Sequence, residues 1–172
     1  MSLYSRDLVV NGYVVSLKEM LESDLDFSFS VYISTRLEEM KKSGWSQDQI
    51  HGFLLDQARM QHRHYRTYYS DGVFYILSAE LKGSKEDIGR LYLHYSNSEL
   101  RIVDIALLPE YRGRGIGRAL LEVLKIEAKK SSKSLTIHVE ENNPALRLYE
   151  ELGFSKIKKV NSIYWFMSWT PS

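Results

Sequence analysis

The sequence predicts an α+β fold: one domain in which helices pack on a single mixed sheet. Three observations carry this. The chain has 172 residues, 44% of them apolar and 26% charged, which is the size and balance of one globular domain with a real core. A meander of three β-rich segments, 72–81, 88–96 and 100–108, is broken only by short polar turns. A helix–strand–helix alternation then follows, over 116–130, 134–140 and 144–152.

The elements read in order. "DLVVNGYVVSL" places two apolar runs around Asn11-Gly12, a hairpin signal. "ESDLDFSFSVYISTRLEEMKK" is helical, capped by Ser23 or Asp24, with Leu25, Phe29, Tyr32 and Ile33 on one face and a break at Gly44. Ser46 and Gln49 form a capping box opening a second helix to about Tyr65. Its stripe begins apolar with Ile50, Phe53 and Leu54, then turns polar through Gln57, Ala58, Gln61, His64 and Tyr65. Either that helix leaves the core for solvent, or its end lines a polar pocket. "KGSKED" is a turn, and 100–108 is nearly all apolar, as a buried central strand is. The helix from Ile116 sets Ile116, Leu120, Val123 and Leu124 on one face and ends in two lysines. Pro144 opens the last helix, Gly153 ends it, and "SKIKKVNSIYWFMSW" holds the closing strands.

Composition excludes several function classes. There are no cysteines, so disulfides, thiolate nucleophiles and zinc–thiolate sites are out, which fits a cytoplasmic protein. A net charge of +1 argues against nucleic-acid binding. No apolar run approaches the roughly 18 residues of a membrane span, and "MSLYSRDLVVNG" lacks a signal-peptide apolar region. His62 and His64 point to different helix faces and His138 reads as strand packing, so no metal site is expected.

The informative stretch is "YRGRGIGRAL". Three glycines and three arginines occupy Arg112 to Arg118, between a strand and the start of a helix. Glycines let backbone approach a ligand, and a helix N-terminus offers free N–H groups and partial positive charge. Together they make an anion site suited to phosphate, rimmed by Arg112, Arg114 and Arg118. No Lys-Ser or Lys-Thr follows, so a Walker loop fails; Arg118 replaces the third glycine of a dinucleotide fingerprint, so that fails too. Asp104, flanked by Val103 and Ile105, is a carboxylate in an apolar strand and needs a partner. It is a base or water-orienting residue, or the structural partner of an arginine such as Arg36 or Arg90.

"RGRGIG" (112–117) resembles the [Q/R]-x-x-G-x-[G/A] motif of the GNAT superfamily of N-acetyltransferases, whose loop binds the pyrophosphate of acetyl-CoA. "VDIALLPEY" is similar to the family's central strand and its exit, and "ENNPALRLYEELGF" to its next motif. The resemblance implies a central, mostly antiparallel sheet of six to seven strands, helices on both faces, and two splayed parallel strands. It makes residues 1–172 a single domain, with 1–70 the variable, substrate-side part and 71–172 the acetyl-CoA core. Ile105, Ala106 and Leu107 would bind the pantetheine arm beside a β-bulge. Arg112, Gly113, Arg114, Gly115, Ile116, Gly117 and Arg118 would hold the phosphates, and Asn142 the pantetheine. Tyr149 matches the tyrosine that protonates the departing CoA thiolate. Where some relatives place a glutamate base, this chain has about Arg101; Asp104 is the nearest carboxylate in that strand. Gln57, Gln61, His64 and Tyr65 are expected on the acceptor side. The implied reaction is direct attack of a primary amine, on a small molecule or a protein, on acetyl-CoA, without a metal. Two competitors are a non-catalytic acyl-CoA sensor and an RNA-binding module using Arg112 to Arg118. The aromatic run "IYWFMSW" is suited to pair across a homodimer as an edge strand.

Overall fold

A computed structural model describes residues 7–172; the first six residues, part of the stretch read for a signal peptide, lie outside the described residues. The sheet has eight strands: β1 (Leu8–Val10), β2 (Tyr13–Glu19), β3 (Val73–Leu81), β4 (Ser84–Tyr95), β5 (Glu99–Leu107), β6 (Ser134–Glu140), β7 (Ser155–Val160) and β8 (Tyr164–Trp169). Their order is β1-β2-β3-β4-β5-β6-β8-β7. Every neighbouring pair is antiparallel except β5 and β6. The count exceeds the expected six to seven because the three-residue β1 joins the edge and the closing segment folds into two strands. "KGSKED" is also shorter as a turn than expected: Lys82 and Gly83, at φ 51° and 80°, turn the chain and β4 starts at Ser84.

Four helices cover the sheet: α1 (Leu25–Met40), α2 (Gln47–Tyr68), α3 (Ile116–Lys130) and α4 (Leu146–Glu151). Alternation along β3 separates two cores. Phe74 and Ile76 join Met20 and Tyr92 under Leu25 and Phe27 of α1 and Tyr65 of α2. Tyr75 and Leu77 face the larger core with Ile116, Leu120, Leu121 and Leu124 of α3 and Tyr149 of α4. Each buried aliphatic or aromatic side chain contributes about 1.5–3 kcal/mol. At the start of α2, the Ser46 hydroxyl accepts from Gln49 N at 3.2 Å and Gln49 Oε1 accepts from Ser46 N at 2.9 Å. Ile50, Leu54 and Ala58 form its buried stripe, while Phe53 turns outward against Trp45.

Candidate active site

The site begins where the one parallel pair among the described residues fails to continue. β5 and β6 are in register from Glu99↔Ser134 to Ile102↔Ile137, and the ladder stops there. Beyond it, β5 stays with β4 through Gly89↔Leu107 while β6 follows β8 to Glu140↔Tyr164. A wedge therefore opens between Val103–Leu107 and His138–Glu140. A bulge helps to open it: Tyr92 pairs with Asp104 and Leu93 with Ile102, so Val103 is the extra residue. Gly89 lets β4 follow the bent end of β5, since a Cβ there would sit 2.3 Å from Ala106 O. The edge of Ile105, Ala106 and Leu107 that faces the wedge has no strand beside it.

The glycine loop lies at the wide end of this wedge. Gly113 and Gly115 have φ of 70° and 83°, and Gly115 is the N-cap of α3 without a side chain to cap the first turn. The N–H groups of that turn are thus left for an external anion. Asn11 braces the loop: its Nδ2 donates to Arg114 O at 2.6 Å and would lie 3.3 Å from a Cβ at Gly115. Sequence reading saw Asn11 only as a hairpin turn; its reach across 103 residues is a tertiary fact. The three arginines differ. Arg118 pairs with Glu151 at 2.6 Å, tying α3 to α4. Arg114 donates to Tyr13 OH at 2.6 Å and to Glu110 O at 2.7 Å. Arg112 donates to Leu107 O at 2.9 Å and reaches Ser34 Oγ of α1 at 3.4 Å. Ile116 is buried and Gly117 has open space where a Cβ would be.

On the α1/α2 face, Asp104 is the hub of a buried network. Arg90, 4% exposed, donates from Nε to Asp104 Oδ1 at 3.1 Å and from Nη2 to Oδ2 at 2.9 Å. Tyr65 OH donates to the same Oδ2 at 3.0 Å. The rest of the guanidinium reaches Gln61 Oε1 at 2.7 Å and Ser28 Oγ at 3.1 Å. Burial first, then the Asp104 charge, pushes the Tyr65 phenol far up, so it is a donor and not an anion. Gln61, Tyr65 and Asp104 thus meet around Arg90. Gln57 and His64 lie outside this network; His64 is exposed and packs on Tyr68. Arg36 instead forks onto Glu140 at the far end of β6.

Tyr149 is 5% exposed on α4, edge-on to Phe154, and its hydroxyl has no hydrogen-bond partner among the described residues. Burial, then the Asp104 charge, raises its pKa well above the usual phenol value. Asn142 is exposed in the turn before α4; the neighbouring Asn143 closes that turn, with Oδ1 accepting from Ala145 N at 2.9 Å. His138, the first β6 residue past the last β5–β6 pair, packs against Phe166 with ring centroids 5.1 Å apart. Burial, then Arg101, lowers its pKa from the ordinary 6.5, so its imidazole is neutral near pH 7. Among the described residues no group of three or more His, Asp or Glu side chains is placed to hold a metal ion. No helix among them is long and apolar enough to cross a membrane.

Comparison with known proteins follows the same geometry. The model of the acetyltransferase (GNAT) domain family matches residues 70–156. An N-alpha-acetyltransferase of Saccharolobus solfataricus is 39% identical over 66 residues, 37% of this chain and 40% of that protein. A [ribosomal protein bS18]-alanine N-acetyltransferase of Haemophilus influenzae is 34% identical over 89 residues, 51% of this chain and 61% of that protein. The matched segments thus span only 40% and 61% of these relatives' lengths. Among solved structures, the PaiA N-acetyltransferase of Thermoplasma acidophilum, in complex with coenzyme A, superposes with a TM-score of 0.62 at 21% identity, over 91% of this chain and 99% of that one. The wedge and loop described above fall within the matched span, and the chain belongs to the GNAT acetyltransferase family.

Proposed function

We propose that this protein is an acetyl-CoA-dependent N-acetyltransferase that delivers the acetyl group to a primary amine by direct attack in a ternary complex. The observation that carries the reading is the β5–β6 wedge ending at an uncapped, glycine-rich helix N-terminus. The residues fit the co-substrate: strand-free backbone at Ile105–Leu107 suits an amide-bearing arm, and the N–H groups of Gly113 to Arg118 suit its phosphates. Acetyl-CoA supplies an activated thioester; the chain does the rest. Backbone N–H groups of β5 at the wedge polarise the thioester carbonyl. Tyr149, held protonated by burial, gives its proton to the departing thiolate.

The acceptor amine must lose a proton before it attacks. Both oxygens of Asp104 already accept from Arg90 and Tyr65, so Asp104 is assigned an orienting role. His138 is assigned the base, because it is neutral, partly open, and stands just past the last β5–β6 pair. The two curated relatives are named for acetylation of α-amines, which supports an α-amino group as acceptor. Acetyl-CoA is expected to raise the melting temperature, and thiol release is expected with an α-amine acceptor. Binding without turnover across an amine panel would leave the acyl-CoA sensor as the reading. No thermal shift at millimolar acetyl-CoA, on the order of RT ln(1 + [L]/Kd) for any useful site, would sink both.

A further inference from the structure

Arg101 stands about where the family resemblance places a glutamate base in some relatives, and the fold does not use all of its donors. Its Nη2 donates to Glu99 Oε1 at 2.8 Å, and its Nη1 reaches Tyr69 OH only at 3.4 Å. Its Nε is buried without a hydrogen-bond partner among the described residues. An N–H kept from water and left unpaired costs free energy, more so on a charged group. The side chain as a whole is 22% exposed although Nε is shut off, and Nη1 is held only by its long contact to Tyr69.

The surroundings give that ligand a sign and a place. Phe166 packs 5.7 Å from the guanidinium carbon, and the His138 ring lies 5.1 Å from that same Phe166 ring. The charges acting on His138 are Arg101, Glu99 and Lys158, two cations against one anion. Glu99 is itself held by Arg101 and by Thr136 Oγ1 at 2.9 Å. Arg101 and Thr136 form the next-to-last pair before the wedge opens. At about 3.3 Å per residue, Ile105 lies about 13 Å farther along β5. An extended peptide with its amine at the wedge brings its next two or three side chains down toward Arg101. A guanidinium fork matches a carboxylate.

Resting on the transferase reading above, we infer that Arg101 is an acceptor-side anion subsite that binds a carboxylate carried a few residues beyond the reacting amine. The carboxylate comes from an acidic side chain near a peptide N-terminus or from the C-terminus of a short peptide. It accepts from Nη1 in place of the long contact to Tyr69.

The test uses the full chain with acetyl-CoA and peptides differing in charge alone. One pair is amidated and carries Glu or Gln at positions two and three; a tripeptide with a free C-terminus separates the two carboxylate sources. The wild type is expected to favour the Glu peptide in kcat/KM by about 10-fold or more, through KM, the scale of a charged hydrogen bond. Arg101→Gln removes that preference, bringing the two peptides to the same KM, while Arg101→Lys, which keeps the charge, retains part of it. Equal kcat/KM for all peptides in the wild type overturns the subsite, as does an equal fall for Glu and Gln peptides in Arg101→Gln. Calorimetric binding of the Glu peptide to the CoA complex separates the two readings. Arg101-dependent binding without turnover supports the subsite and counts against the transferase alone; Arg101-independent binding overturns the subsite.

Discussion

Replacing Asp104 with asparagine tests whether that carboxylate orients the site or performs its proton chemistry. The change keeps shape and removes the anion that faces Arg90, a guanidinium only 4% exposed. Arg90 would keep Gln61 and Ser28, both neutral, and lose its counter-charge at 2.9 Å. Breaking one partner of a buried pair costs about 3–5 kcal/mol, because a buried cation is left uncompensated. At about 2–4 °C per kcal/mol for a domain of this size, the melting temperature is expected to fall by about 6–20 °C. Replacing both members, Arg90→Met with Asp104→Leu, is expected to recover most of the loss, since no charge is then stranded. Thermal and urea denaturation measure both variants. Asp104→Asn that keeps its stability but loses about 100-fold or more in kcat would refute the orienting role and make Asp104 the base.

Tyr149→Phe is expected to lower kcat by about 100-fold or more while leaving stability and the acetyl-CoA KM nearly unchanged, because the hydroxyl bonds to no described residue; steady-state rates of thiol release decide it. Gly115→Glu places a carboxylate at the anion site on a residue with φ of 83°, so the melting-temperature rise with acetyl-CoA should vanish. Gly89→Ala puts a Cβ 2.3 Å from Ala106 O, so β4 and β5 must part there; denaturation midpoints should drop, with a matching rise in acetyl-CoA KM. His62 and His138 both have folded pKa values held below 6.5, by burial first and then by arginines. The unfolded chain therefore takes up protons first, and stability should fall as pH drops through and below that value; His62→Gln and His138→Gln should each flatten the slope seen in urea titrations.

Local chemistry explains what could be read in the chain. A capping box, a Gly-rich loop at a helix start and an apolar strand are patterns over a few residues, so α2, α3 and β5 announce themselves. The same holds for the glycine loop, whose proposed phosphate binding rests on backbone N–H groups and φ values that glycine alone adopts easily. The count of six to seven came from the family resemblance, while the hairpin signal at Asn11-Gly12 already marked the three-residue β1. It pairs with β2 across the Asn11-Gly12 turn, as the local hairpin signal predicts.

The sequence by itself determined the order of elements, the family and the glycine loop at the start of α3, because those depend on residue type at short spacing. Only the tertiary structure decided how the polar end of α2 is used. Gln61 and Tyr65 face Arg90 and Asp104, while Gln57 and His64, on the same helical stripe, do not. It also chose Arg90 over Arg36 as the partner of Asp104, since Arg36 reaches Glu140 instead. His138 looked like packing and Arg101 like a departure from the family pattern. Tyr69 just past α2, Phe166 on β8 and Lys158 on β7 are far from one or the other in sequence, and they help set the charge and contacts of the two side chains.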